Sequence, residues 1–192
     1  MNIIERVKNI LITPKTEWNV INEETATMQT LLMSYVLPLT VIGAVATFIG
    51  YGLVGVDAGM LGLKMKGLNW GLYAGIGKLI TGILGFVIAA YVIDMLAPSF
   101  ASEKNLNKSA QLVAYGSTPA MLGAFIGILP MLSIIGVLFG LYGIYLWYLG
   151  LGPLNKTPDD KKVVYIVVSV LVYIVAIIIV GALVNLILGT LF

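Results

Sequence analysis

Long apolar runs separated by short polar connections dominate the chain. Runs of about 20 apolar residues can cross a hydrocarbon core of roughly 30 Å at 1.5 Å per residue. They occupy Leu31–Val54, Trp70–Leu96 and Val163–Leu191. A further stretch, Ala110–Leu151, has 42 residues and carries Pro119 and Pro130, which is room for two crossings. Ahead of the first run, Ile3, Ile4, Val7, Ile10 and Leu11 recur at helical spacing among Glu5, Arg6, Lys8 and Asn9. That pattern predicts a short amphipathic helix on the membrane surface, ended by Pro14, with a second short helix starting around Glu17. Trp18, Trp70 and Trp147 are expected at headgroup depth.

Positive charge decides between four and five crossings. With five, Arg6, Lys8, Lys15, Lys104, Lys108, Lys156, Lys161 and Lys162 share one side against Lys64 and Lys66, eight to two. With four, the three lysines after the long stretch change sides and the count becomes five to five. The positive-inside rule selects five. The predicted fold class is an all-α membrane protein, a bundle of five transmembrane helices with a short amphipathic N-terminal helix. Residues 1–30 form a cytoplasmic head and residues 31–192 the transmembrane domain, with spans at about 31–54, 70–96, 110–129, 131–151 and 163–191. The expected location is the cell (inner) membrane, multi-pass, with the N-terminus cytoplasmic and the C-terminus outside. The first residues lack the features of a secretory signal, so the N-terminus is expected to be retained.

Composition agrees and narrows the chemistry. Of 192 residues 59% are hydrophobic and 10% charged, against roughly 25% charged in soluble domains, and mean hydropathy is +1.01. A water-soluble enzyme and a disordered chain are both excluded. Net charge is +2 with no basic block, so nucleic acid is not a partner. The absence of Cys and His removes thiol nucleophiles, the commonest metal ligand and the usual neutral-pH base. No metal site, cofactor or catalytic constellation is expected. Tyr115-Gly116-Ser117-Thr118-Pro119 is not a nucleophile elbow, Ser117 has no evident base, and the bland expectation is back-bonding to a Pro-loosened helix.

The candidate intramembrane polar site comprises Lys78, Asp94, Tyr115, Ser117, Thr118 and Pro119. A charge near a span centre costs about 2.5–3.5 kcal/mol on insertion scales. Lys78 either snorkels outward or lines a polar path or interhelical contact. Asp94 lies four residues before Pro98, near a helix C-terminus where negative charge is unfavourable. It is expected either to pair with Lys104 or Lys108 or to contact an ion, proton or substrate. Glycine supplies the candidate packing face: Gly67, Gly71 and Gly75, then Gly123 with Gly127, Gly136 with Gly140, and Gly181 with Gly189 through Asn185. Such rows let helices approach closely within one chain, or present a face to a second copy.

Three local patterns resemble the Yip1 domain family. Pro14, Trp18, Ile21 and Glu24 look like the start of bacterial members. Ala114-Tyr115-Gly116-Ser117-Thr118-Pro119 is similar to the third-span pattern, and Leu141-Tyr142-Gly143-Ile144-Tyr145-Leu146-Trp147-Tyr148-Leu149-Gly150-Leu151 to the aromatic fourth span. The resemblance implies five spans and a cytoplasmic N-terminus. Eukaryotic members are associated with Rab-class GTPases through longer N-terminal regions. The short head here lacks their Asp-Leu-Tyr-Gly-Pro motif, which speaks against a GTPase partner. The expected function is a non-enzymatic integral membrane protein that binds or organises other membrane components. Its partners would be membrane lipids, other membrane proteins or a homo-oligomer. The alternative is a small transporter or channel for an ion, lipid or small metabolite.

Overall fold

Capping side chains mark where several helices begin in the computed structural model, which describes residues 2–58 and 63–192. Asn2 Oδ1 accepts from the Ile4 amide at 3.0 Å and starts α1, Ile3–Ile12. Pro14, whose missing N–H costs nothing in a first turn, opens α2, Pro14–Glu23. Thr27 Oγ1 accepts from the Thr30 amide at 3.1 Å and starts the long α3, Met28–Val54. Pro38 lies in α3, and a proline ring collides with the carbonyl four residues back. The helix answers with a wide turn over Leu32–Val36, in which the Leu37 amide bonds to the Leu32 carbonyl.

A small antiparallel hairpin, β1 Val56–Ala58 and β2 Leu63–Met65, follows α3 where the sequence suggested a plain connection. It is flanked by Gly55 at φ +84° and Gly67 at φ +126°, conformations that a side chain resists. Next come α4, Leu68–Leu96, extended by a tight turn at Ala97–Phe100, and α5, Leu106–Gly116. The chain continues through α6, Thr118–Gly123, with a tight turn at Ala124–Ile128, then α7, Ser133–Asn155, and α8, Asp159–Gly189. Asn105 Oδ1 caps α5 through the amides of Asn107 and Lys108 at 3.1 and 3.2 Å.

The protein is an all-α membrane protein. Among the described residues four helices are long and apolar enough to cross a membrane, and five crossings result if α5 and 118–128, bent by 40°, count as one span. The break falls at Ser117, just ahead of Pro119. Central α4 lies between α3 and α8, while α5, α6 and α7 close the bundle. Much of α8 turns Leu171, Val175 and Ile178 outward, as a lipid-facing helix does.

The connections after α4 and after α7 meet at one end. The Glu103 amide donates to the Asn155 carbonyl at 2.7 Å, Asn155 Nδ2 to Ser109 Oγ at 3.1 Å and Ser102 Oγ to Thr157 Oγ1 at 2.9 Å. The head sits at this same end. At the other end the Tyr73 hydroxyl donates to Asn185 Oδ1 at 2.9 Å, placing the start of α4 beside the end of α8.

The head departs from the expected surface helix, because α1 and α2 fold onto the bundle. Ile10, Trp18 and Ile21 are fully buried, so Trp18 is held by protein rather than anchored among headgroups. The C-terminal carbonyls of α2, which have no helical partners, are taken by α5. Gln111 Nε2 donates to Ile21 and Glu24 carbonyls at 3.3 and 3.1 Å, and Lys108 Nζ to those of Asn22 and Glu24 at 2.6 and 3.2 Å. The Tyr142 hydroxyl closes the dock on the Leu11 carbonyl at 2.7 Å.

Candidate functional site

Glycine opens the middle of the bundle. Gly82 and Gly85 on α4 and Gly140 and Gly143 on α7 line a cavity of about 450 Å³ between α3, α4, α5, α6, α7 and α8, within the range of small-molecule sites. Among the described residues no atom beyond the adjoining turns of its own helix lies within 4 Å of the point where a Gly140 side chain would begin. The wall is largely apolar, with Leu39, Phe86 and Ile144 among its residues. Its polar interruptions include Lys78, Ser117, Thr40 and Tyr173.

Lys78 stands ten positions beyond Leu68, about 15 Å along α4, near half of a hydrocarbon core. Its side chain is exposed, and among the described residues no carboxylate pairs with its ammonium. Ser117 reaches the same cavity because the break between α5 and α6 falls at that residue. Trp147, expected at headgroup depth, instead lines the cavity at 7% exposure. Its indole N–H has no acceptor among the described residues.

A second polar assembly ties the head to the third crossing. The Arg6 guanidinium, fully buried, donates to Glu17 from one nitrogen and to Glu24 from another. Its carbon lies 4.9 Å from the centre of the Tyr115 ring, a cation–π position. Tyr115 meets Tyr35 edge-on at 4.9 Å. The Tyr35 hydroxyl shares a 2.7 Å hydrogen bond with Thr118 Oγ1, and Thr118 also donates to the Tyr115 carbonyl at 2.6 Å. Two carboxylates thus flank one buried cation, Glu17 inside the protein and Glu24 partly exposed.

All of these residues except Arg6 lie within one recognisable unit, for the Yip1 domain model matches residues 8–188. The chain belongs to the Yip1 domain family. No curated protein and no solved structure matches it.

In this Yip1 domain the six polar candidates divide. Lys78 and Ser117 share the cavity, whereas Tyr115 and Thr118 belong to the Arg6 assembly and Pro119 is buried at the start of α6. Asp94 stands apart at 5% exposure, with Oδ1 unpartnered among the described residues. The expected pairing with Lys104 or Lys108 is absent, because Lys108 is engaged by the α2 carbonyls and no ion pair forms at Lys104.

The glycine rows also divide. Gly71 and Gly75 meet α3 at Phe48 and Ala44, Gly123 meets Phe139, and Gly127 meets Thr47 and Gly50. Gly67, Gly136, Gly140, Gly181 and Gly189 have open space where a side chain would start. Asn185, expected at the centre of a face for a second copy, spends its side chain on Tyr73 within the chain.

Arg6, Glu17 and Tyr173 were not among the candidates. One signal pointed to Arg6: it is the sole arginine among eleven basic residues, and a planar fork is what two carboxylates and an aromatic face require. Nothing local marked Tyr173, since an aromatic on a uniformly apolar helix reads as lipid-facing.

Proposed function

We propose that this Yip1 domain is a non-catalytic membrane protein that binds a lipid component of its own membrane within the bundle. The observation that carries the reading is the largely apolar 450 Å³ cavity among the spanning helices. Such a space, in a bundle immersed in lipid, suits a hydrocarbon chain better than a hydrated solute. Alone, Gly140→Leu extends into open space and occupies part of the cavity. Wild-type protein taken from its membrane in mild detergent is expected to retain about one lipid through gel filtration, and Gly140→Leu to lose it. Equal retention by the two proteins would remove the cavity from the account.

The transporter reading rests on Lys78, Asp94, Ser117–Thr118 and the Pro-interrupted third span, and of those four residues Lys78 and Ser117 line the largely apolar cavity. The orientation that supports binding from the inner leaflet places the head and its neighbouring lysines in the cytoplasm, by the positive-inside rule. The docked head then forms a fixed cytoplasmic face for other membrane proteins.

A further inference from the structure

We infer that the cavity selects an anionic amphiphile, one hydrocarbon chain ending in a carboxylate or phosphate, with Lys78 as the residue that reads the charge. The inference rests on the lipid-binding reading above and adds the chemistry of the head group.

Among the described residues Lys78 carries the only formal charge in the cavity lining. No carboxylate neutralises it among the described residues. An ammonium at this depth is costly unless it is paired, hydrated or lined by polar groups. Snorkelling would relieve part of that cost, and an anionic partner at the cavity would relieve more, since Lys78 is among the lining residues. A neutral chain would fill the apolar wall and leave the cation alone. An anionic head meets it, and the attraction is strong because little water screens it.

One further group suits the same ligand, for the Trp147 indole nitrogen, although without an acceptor among the described residues, is enclosed against Gly116 rather than open to the cavity. Ser117, at the break between α5 and α6, adds a hydroxyl to the lining. The remaining wall, with Leu39, Phe86 and Ile144, supplies the apolar contact for the chain. A hydroxylated or zwitterionic head would not match this set as well, since among the described residues no carboxylate lines the cavity to receive its positive or donor groups.

The test uses the full chain in phosphatidylcholine nanodiscs, with brominated chains quenching tryptophan fluorescence and Trp147→Phe subtracted to isolate the cavity signal. The probes are 9,10-dibromostearate, its neutral methyl ester, and phosphatidylglycerol carrying one brominated chain. Saturable quenching is expected from an anionic probe at about tenfold lower concentration than from the ester. Lys78→Gln should abolish that preference while the ester response remains, Lys78→Arg should keep it, and Gly140→Leu should remove the saturable signal of all probes. Response to dibromostearate supports a free acid as occupant; response to the phosphatidylglycerol alone supports an anionic bilayer lipid, and both bear out the anionic chemistry. Equal quenching by acid, phosphatidylglycerol and ester overturns the charge inference and leaves lipid binding standing. Absence of saturable quenching by any probe, or an unchanged signal in Gly140→Leu, overturns the cavity reading itself.

Discussion

Arg6 and Glu17, eleven positions apart in the chain, form an ion pair in which neither side chain is more than 7% exposed. Breaking such a pair strands a charge away from water and costs about 3–5 kcal/mol. Arg6→Met should therefore lower the melting temperature in detergent sharply and shift Trp18 fluorescence to longer wavelength as the head leaves the bundle. Arg6→Lys should not rescue it, because a point ammonium cannot serve Glu17, Glu24 and the Tyr115 face together. A normal melting temperature in Arg6→Lys would show that the planar fork is dispensable.

Gly116 and Gly140 should respond oppositely to alanine. A Cβ on Gly116 would lie 2.1 Å from Trp147 Cδ1, and overpacking of this kind costs about 1–3 kcal/mol. Gly140 has open space, so Gly140→Ala should be neutral or gain up to about 1 kcal/mol from helix propensity. Thermal unfolding of the two variants side by side is the check.

Asp94 is buried with one oxygen unpartnered. Removing that charge relieves its desolvation, so Asp94→Asn is expected to raise thermal stability. A marked loss would mean that the carboxylate holds a partner in the membrane.

The chain has no cysteine, so single cysteines report topology cleanly. A membrane-impermeant thiol reagent applied from outside should label Lys66→Cys and Phe192→Cys but not Lys104→Cys or Lys156→Cys in intact cells. Labelling of Lys104→Cys would reverse the proposed orientation.

Much of the bundle was legible in advance because its signal is additive. Each crossing needs only enough consecutive apolar residues, and charge asymmetry separates five crossings from four without knowledge of any contact. Span boundaries shifted where a local count misleads: α5 begins at Leu106 because Asn105 caps it, although the apolar run starts later. The head was legible as amphipathic helices, but not as docked ones. An apolar stripe reads the same whether it meets lipid or protein, and only Gln111, Lys108 and Tyr142 reaching its carbonyls distinguish the two.

The sequence by itself determined the solvent of this protein, its helical class and its Yip1 kinship, since hydropathy and local patterns need no partner to be read. Tertiary structure alone decided which glycines pack and which leave space. It also joined Arg6 to Tyr115. Those outcomes depend on how helices rotate and bend against one another, and in a uniformly apolar helix no periodicity records which face turns inward.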